Sequence, residues 1–216
     1  MNLRVERLDL ADPYDVAQAQ SWNFDVLWNN AGQGESGPVS EIPIDLVRRN
    51  YEANVFLPLA LTQGVVKKWI AEKKKGKIVF TSSVGGLFTQ ANWGTYMSTK
   101  HALESIAEAL QQELRPYGIK VQTINPSAYF TGFNETMADN AFRWLDDKKN
   151  FTKRADLRRA FEDFFARPED SLDPKEAIDR MIEIVPADVG KFRNVVPKQA
   201  EDLLKSYQLA AWDNMI

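Results

Sequence analysis

The sequence predicts an α/β fold with a mostly parallel sheet that is covered by helices on both faces. Short runs of β-branched and other apolar residues alternate along the 216-residue chain with longer runs that have helical spacing. This alternation is typical of strand–helix–strand units, in which neighbouring strands run parallel. With 44% hydrophobic and 26% charged residues, the composition fits a single globular domain that buries its own core.

The first half of the chain contains three predicted strands and one long predicted helix. Residues 3–10 alternate apolar and polar side chains, as a half-buried strand does. Residues 24–28 form a short apolar run that predicts a second strand. A helix is predicted over about 45–72, because the lysines that follow it and Gly76 are typical of a helix terminus. Lys77–Thr81 follows as the third strand.

The second half continues the same alternation. A helix over about 95–115 has apolar residues on one stripe and stops at a Pro-Tyr-Gly sequence, after which residues 119–124 predict a strand. Asp173 followed by proline predicts a helix start, because aspartate caps free N–H groups and proline suits the first helical position. Residues 192–196 predict a last strand, and a helix is predicted over about 199–212.

The composition also excludes several classes of function. The net charge of −3 provides no basic field for nucleic acid. The absence of cysteine and the single histidine exclude thiolate nucleophiles, disulfides and zinc fingers, and we expect no metal site. The longest apolar stretch, residues 53–61, is too short to span a membrane, and the first residues are charged where a signal peptide is apolar. We therefore expect a cytoplasmic protein without nucleic-acid or membrane partners.

Small polar residues recur where the predicted strands end. Asn29-Asn30-Ala31-Gly32 follows the strand at 24–28, Ser82-Ser83 follows the strand at 77–81, and Asn125-Pro126-Ser127 follows the strand at 119–124. In open parallel sheets, ligands bind beside the carboxyl ends of the strands. The sequence therefore predicts a ligand site at this edge of the sheet.

Tyr96 and Lys100 are four positions apart on a predicted helix, so their side chains lie about one turn apart on the same face. A lysine ammonium beside a tyrosine hydroxyl favours the phenolate and lowers the tyrosine pKa. A tyrosine tuned in this way can donate or accept a proton near neutral pH, which suits the interconversion of a carbonyl and an alcohol. Taken alone, the same spacing is more typical of a surface pair.

The ordered set of motifs resembles the short-chain dehydrogenase/reductase family, in its commonest subgroup. The resemblance implies a Rossmann-like, doubly wound, mostly parallel sheet and an NAD(P)-dependent oxidoreductase that interconverts a carbonyl and an alcohol. The matching pieces are Asp9, Asn29-Asn30-Ala31-Gly32, Asn54, Ser82-Ser83-Val84-Gly85-Gly86, Tyr96 with Lys100, and Asn125-Pro126 followed by Thr131.

The resemblance implies four catalytic positions. Tyr96 is the general acid/base that protonates the carbonyl oxygen, and Lys100 lowers its pKa and holds the nicotinamide ribose hydroxyls. Ser83, rather than Ser82, hydrogen-bonds the substrate oxygen. Asn54 anchors a water that links Lys100 to solvent, although a polar residue inside a helix also forms local bonds without such a role.

The resemblance also implies a cofactor site for NAD or NADP. The Asn29–Gly32 segment passes beside the adenosine ribose, Asp9 contacts the adenine unless it is a plain strand-end carboxylate, and Thr131 with the backbone near Tyr129 holds the carboxamide. Ser127 stands where the family usually has glycine. The implied cofactor-binding residues are Asp9, Asn30, Ala31, Gly32, Tyr96, Lys100, Pro126, Ser127, Tyr129 and Thr131.

The sequence lacks the glycine-rich Thr-Gly-x-x-x-Gly-x-Gly turn with which the family begins. We therefore expect one truncated domain over 1–216, with an incomplete sheet whose first two strands and their helices are missing, and with residues 130–170 as a substrate lid. The determinant that selects NAD or NADP would be missing with them. The strand at 3–10 would then lack a neighbour, or pair with the strand at 24–28 or across a dimer.

Two functions stay open on the sequence. The first is an oxidoreductase acting on a small carbonyl or alcohol, which would be apolar if the aromatic residues of the lid contact it; these rings pack the lid helices equally well. The second is a non-catalytic remnant that serves as a scaffold or dimerisation module. The helices at 45–72 and 95–115 resemble the family's dimer-forming pair, which implies a homodimer or homotetramer, and His101 is expected to pack rather than catalyse.

Overall fold

The computed structural model describes residues 3–167 and 172–213. The described residues contain a four-stranded sheet in the order β1-β2-β3-β4, and every neighbouring pair is parallel. This confirms the parallel sheet predicted from the strand–helix alternation. The strands are β1 (Val26–Asn29), β2 (Lys77–Thr81), β3 (Lys120–Pro126) and β4 (Arg193–Val196).

The helices fall between the strands as the sequence predicts, with one interruption. The predicted helix at 45–72 is continuous, but it contains a π-helical turn at Glu52–Phe56 between two α-helical parts. In chain order the α-helices are α1 (Pro13–Ser21), α2 (Ile44–Tyr51), α3 (Leu57–Ala71), α4 (Gly94–Leu114), α5 (Phe133–Trp144), α6 (Arg154–Phe165), α7 (Pro174–Ile184) and α8 (Ala200–Ala210). Among the described residues, no helix is both long enough and apolar enough to cross a membrane.

The sheet is covered on both faces because successive residues of a strand point to opposite sides. Ile78 and Phe80 of β2 are buried in one cluster with residues of α1, α3 and α4. Val79, between them in sequence, is buried in a second cluster with β3, β4 and α7. A strand buried on both faces is continuously apolar, which is why residues 77–81 show no alternation.

The predicted strand at residues 3–10 is wrong. These residues have no regular structure, and Leu3 and Val5 are 88% and 82% exposed. Alternating side chains form a strand only beside a partner, and within the described ranges β1 pairs with β2 alone. The pairing with the strand at 24–28 is therefore not formed. That two strands of a longer sheet are missing stays a prediction.

The helix α1 follows this segment, and the sequence analysis did not predict it. Its signal was present, because Asp12 precedes Pro13 and the Asp12 carboxylate accepts a hydrogen bond from the backbone N–H of Tyr14 at 2.9 Å. Aspartate as N-cap with proline at the first position is the same combination that correctly predicted the start of α7.

Replacing Asp173 by alanine is expected to lower the free energy of unfolding by about 1 kcal/mol, because the Asp173 carboxylate accepts a 2.9 Å hydrogen bond from the backbone N–H of Lys175. Urea denaturation followed by circular dichroism measures the change. Asp163→Ala, at an exposed position inside α6, is the matched control and is expected to change stability by less than about 0.5 kcal/mol. Equal effects of the two variants would contradict the capping role.

Candidate active site

The strand ends and the first turns of α4 bring the predicted catalytic side chains to one edge of the sheet. Ser83 lies two residues beyond the end of β2 and is half-buried. Tyr96 and Lys100 lie in the first two turns of α4 and are both buried. The order strand, loop and helix, read from the sequence, therefore brings these three residues together.

The Ser83 hydroxyl lies near that of Tyr96, and both residues line the same cavity. The Ser83 hydroxyl also accepts the backbone N–H of Gly85 at 3.0 Å and donates to the carbonyl of Pro126 at 3.4 Å, which fixes it between the ends of β2 and β3. Burial raises the pKa of Tyr96 well above its ordinary value, and the nearby Ser83 hydroxyl offsets only part of this effect. The structure therefore gives a raised Tyr96 pKa where the sequence predicted a lowered one.

The Lys100 ammonium lies over the face of the Tyr96 ring, 5.6 Å from its centroid, and donates to the carbonyl of Thr81 at 2.8 Å. Its position over the ring explains why it does not lower the Tyr96 pKa as a direct hydroxyl contact would. Burial lowers the pKa of Lys100 to about 8, against an opposing effect of the nearby Glu104 carboxylate. Lys100 therefore changes charge close to neutral pH.

Asn54 lies in the π-helical turn and is fully buried. Its side-chain oxygen accepts the backbone N–H of Gln33 at 2.9 Å, and its amide donates to the Gln33 carbonyl at 2.8 Å and to the Thr99 hydroxyl at 3.0 Å. The side chain thus ties the loop after β1 to α4, and these partners are distant in sequence rather than within its own helix. Its role as the anchor of a water stays a prediction.

The loop after β1 lies beside Lys100. A Cβ atom built on Gly32 would lie 3.9 Å from the Lys100 ammonium nitrogen and 3.2 Å from the side-chain oxygen of Asn54, so glycine keeps the approach to the ammonium open. The side chain of Asn30 accepts the Thr81 hydroxyl at 2.7 Å, which holds the loop against β2. Ala31, between Asn30 and Gly32, is exposed.

The segment after β3 carries the residues predicted for the nicotinamide. Pro126 ends β3, and the backbone N–H of Ser127 donates to the Val196 carbonyl at 2.8 Å. Tyr129 is buried, and its hydroxyl has no hydrogen-bond partner within the described parts of the chain. Thr131 is exposed and accepts the backbone N–H of Phe133 at 3.4 Å.

Asp9 is not part of this cluster. It is exposed and forms a local turn before α1, in which its carboxylate accepts the N–H of Ala11 and its own N–H donates to the Asp15 carboxylate, both at 2.9 Å. The sequence analysis placed Asp9 at the end of a strand at residues 3–10; because that strand is not formed, the predicted position of Asp9 is wrong. Its contact with adenine stays a prediction.

A largely apolar cavity of about 560 Å³ opens beside Ser83 and Tyr96. Its walls come from the loop after β2 and from α4, α5, α6 and α7. Residues of α8 complete the wall, although α8 begins more than a hundred residues after that loop. The sequence analysis did not find the residues of α8, because nothing in the chain pattern of that helix indicates which element it covers. The apolar and aromatic lining residues include Phe88, Trp93, Met97, Met137, Phe164, Leu172, Leu203, Leu204 and Tyr207.

The predicted lid, residues 130–170, contains α5 and α6; residues 168–170 lie outside the described residues. Most of its rings pack the lid onto the body, since Phe161 and Phe164 each lie 5.0 Å from the Trp93 ring, centroid to centroid. Phe133 lies 5.6 Å from the Tyr96 ring, and Phe164 also lines the cavity. The packing alternative therefore holds for most of these rings.

The fold and this site define a Rossmann-like α/β protein whose candidate site combines Ser83, Tyr96 and Lys100 at the strand ends. A family model described as short chain dehydrogenase matches residues 2–141. The chain therefore belongs to the short-chain dehydrogenase/reductase family.

The individual relatives agree with this assignment. An NADPH-dependent 3-dehydrocapnine reductase from Ornithobacterium rhinotracheale is 42% identical over 104 residues, covering 47% of this chain and 37% of the relative. Dehydrogenase/reductase SDR family member 7B from Mus musculus is 30% identical over 201 residues, covering 89% of this chain and 60% of the relative. The chain thus spans less than two thirds of the length of these curated relatives. A short-chain dehydrogenase from Streptomyces avermitilis has the same fold, with a TM-score of 0.71 at 24% identity, covering 96% of this chain and 75% of the other.

Proposed function

We propose that this protein is an NAD(P)-dependent oxidoreductase that interconverts a carbonyl and an alcohol. The observation that carries the proposal is the presence of the Ser83 and Tyr96 hydroxyls in the wall of one apolar cavity, with the Lys100 ammonium over the Tyr96 ring. Membership of the family supports it, as does the NADPH dependence of one relative.

The residues present fit the nicotinamide–ribose end of the cofactor. Among the described residues, the Thr81 carbonyl is the single hydrogen-bond acceptor of the Lys100 ammonium, which has three donors and so has two left for ribose hydroxyls. Gly32 leaves the space beside this ammonium open. We assign the nicotinamide ribose to Lys100, the adenosine ribose to Asn30, Ala31 and Gly32, and the nicotinamide to Pro126, Ser127, Tyr129 and Thr131.

In the proposed reaction the nicotinamide carries the hydride when it is bound. Ser83 donates a hydrogen bond to the substrate oxygen, and Tyr96 transfers its hydroxyl proton to that oxygen as negative charge develops there. The raised pKa keeps Tyr96 protonated throughout the neutral range, so the proton that carbonyl reduction consumes is present on its hydroxyl. Lys100, charged below about pH 8, stabilises the tyrosinate left behind.

Titration of the chain with NADPH and NADH, followed by nucleotide fluorescence, tests the proposal. We expect binding in the micromolar range by at least one of them and oxidation of the bound nucleotide by a panel of ketones. Absence of binding by both would contradict the oxidoreductase and favour the non-catalytic scaffold. Lys100→Met is expected to weaken nucleotide binding. Lys205→Met, at an exposed position on α8, is the matched control and is expected to leave nucleotide affinity unchanged.

We further propose that the protein acts in the cytoplasm as a homodimer or homotetramer, with residues 130–170 as its lid. The support for the oligomer is the resemblance of the helices at 45–72 and 95–115 to the family's dimer-forming pair. Light scattering of the purified chain measures the mass in solution, and a monomer at micromolar concentration would contradict the oligomer.

A further inference from the structure

The cavity beside Ser83 and Tyr96 has a wall chemistry that narrows the substrate class. We propose that it binds the uncharged alkyl chain of a ketone or secondary alcohol, with the oxygen at Ser83 and Tyr96 and the chain directed toward Leu203 on α8. The proposal rests on the proposed function for the position of the oxygen. The binding of the chain is a separate property, and it is tested separately below.

The first reason is the composition of the wall. Phe88, Trp93 and Leu172 contribute rigid apolar surface, whereas Met97 and Met137 contribute flexible thioether chains that adapt to a ligand without fixed shape. A volume of about 560 Å³ lies in the range of sites that enclose most of a small ligand. Burial of methylene groups against such a wall is favourable in proportion to the area removed from water.

The second reason is that the cavity reaches the surface through α8. Leu203 lines the cavity and is nevertheless 72% exposed, so the wall at this point is also the mouth. The helix is held against the cavity on this same side, since Leu204 is buried and the Tyr207 ring lies 5.9 Å from the Phe88 ring, centroid to centroid. A chain that enters at Leu203 therefore meets the apolar residues of the cavity wall.

The third reason is the distribution of charge. The carboxylate of Glu176, at the start of α7, is the single formally charged side chain in the cavity wall built by the described residues. No cationic side chain in that wall pairs with an anionic tail, and Glu176 repels one. The wall therefore selects for an uncharged chain.

Calorimetric titration with alkan-2-ones from butan-2-one to octan-2-one tests the proposal without requiring turnover. We expect the dissociation constant to fall about fourfold for each added methylene until the cavity is filled. Methyl 9-oxodecanoate is expected to bind at least tenfold more tightly than 9-oxodecanoate. Affinity that does not depend on chain length, or equal binding of the ester and the acid, would overturn the proposal.

A pair of variants on one helix locates the mouth. Leu203→Asp is expected to reduce the preference for octan-2-one over butan-2-one about tenfold, because it places a carboxylate in the path of the chain. Leu209→Asp is the matched control, since Leu209 lies on the same helix, is also 72% exposed and is not part of the cavity wall. A reduction by Leu209→Asp equal to that by Leu203→Asp would place the mouth elsewhere and overturn the proposed path.

These measurements separate the two proposals. Chain-length dependence together with nucleotide binding and turnover supports both. Chain-length dependence without hydride transfer to or from any alkanone retains the apolar-chain site and contradicts the oxidoreductase. Turnover of ketones whose kcat/KM does not depend on chain length contradicts the apolar-chain site and retains the oxidoreductase.

Discussion

Replacement of Tyr96 by phenylalanine is expected to lower ketone reduction by a factor of about 10² to 10⁴, the usual contribution of a positioned general acid. The variant keeps the ring and removes only the hydroxyl that lies near Ser83 in the cavity wall. Reduction then lacks the group that supplies a proton to the developing alkoxide. The decrease is measured as the rate of NADPH oxidation at saturating ketone, with nucleotide affinity measured in parallel.

The structure predicts that this variant folds normally. The Tyr96 ring is buried in the cluster that contains Trp93 and Met97, and these contacts do not involve the hydroxyl. Tyr117→Phe is the matched control, because Tyr117 is an exposed tyrosine at the opposite end of α4. Activity of Tyr96→Phe within a few-fold of that of Tyr117→Phe would refute the assigned role.

The sequence predicted the elements whose pattern is decided locally. Residues 77–81 and the helix at 95–115 are apolar on the faces that become buried, and their ends carry recognisable stop signals, so the structure confirms them within one residue at most ends. The strand predicted at residues 3–10 is not formed, because alternation of apolar and polar side chains is not sufficient for a strand. A strand also needs a neighbouring strand for its backbone hydrogen bonds, and the local sequence does not show whether one is present.

The same distinction applies to the candidate site. Tyr96 and Lys100 could be predicted as a pair from their spacing on one helix, and Ser83 was predicted from the resemblance to the family. The Tyr96 pKa could not be predicted, because it depends on how completely the ring is buried and on where the Lys100 ammonium lies. The wall formed by Leu203 and Tyr207 could not be predicted either, since it depends on the docking of α8 against a distant loop.

The free energy of unfolding is expected to rise between about pH 8 and pH 10 because of Lys100. Burial lowers its pKa from 10.5 to about 8 in the folded protein, so the folded state loses this proton first. Throughout this range the unfolded state binds more protons, and stability therefore increases with pH. A difference of two pH units corresponds to at most about 3 kcal/mol.

Lys100→Met isolates this contribution, because methionine keeps an apolar chain of similar length and does not titrate. The pKa of Lys77 is also lowered by burial and acts in the same direction, but Lys77 is present in both proteins and cancels in the difference. Above pH 10 the raised pKa of Tyr96 reverses the trend, since the folded state then retains a proton that the unfolded state loses.

Urea denaturation of both proteins at pH 7, 8, 9 and 10 measures the contribution of Lys100. Between pH 7 and pH 10 we expect the free energy of unfolding of wild type to rise by about 2–3 kcal/mol relative to that of the variant. A constant difference would mean that the Lys100 amine is not desolvated, and the charge that we assign to it near neutral pH would have to be revised.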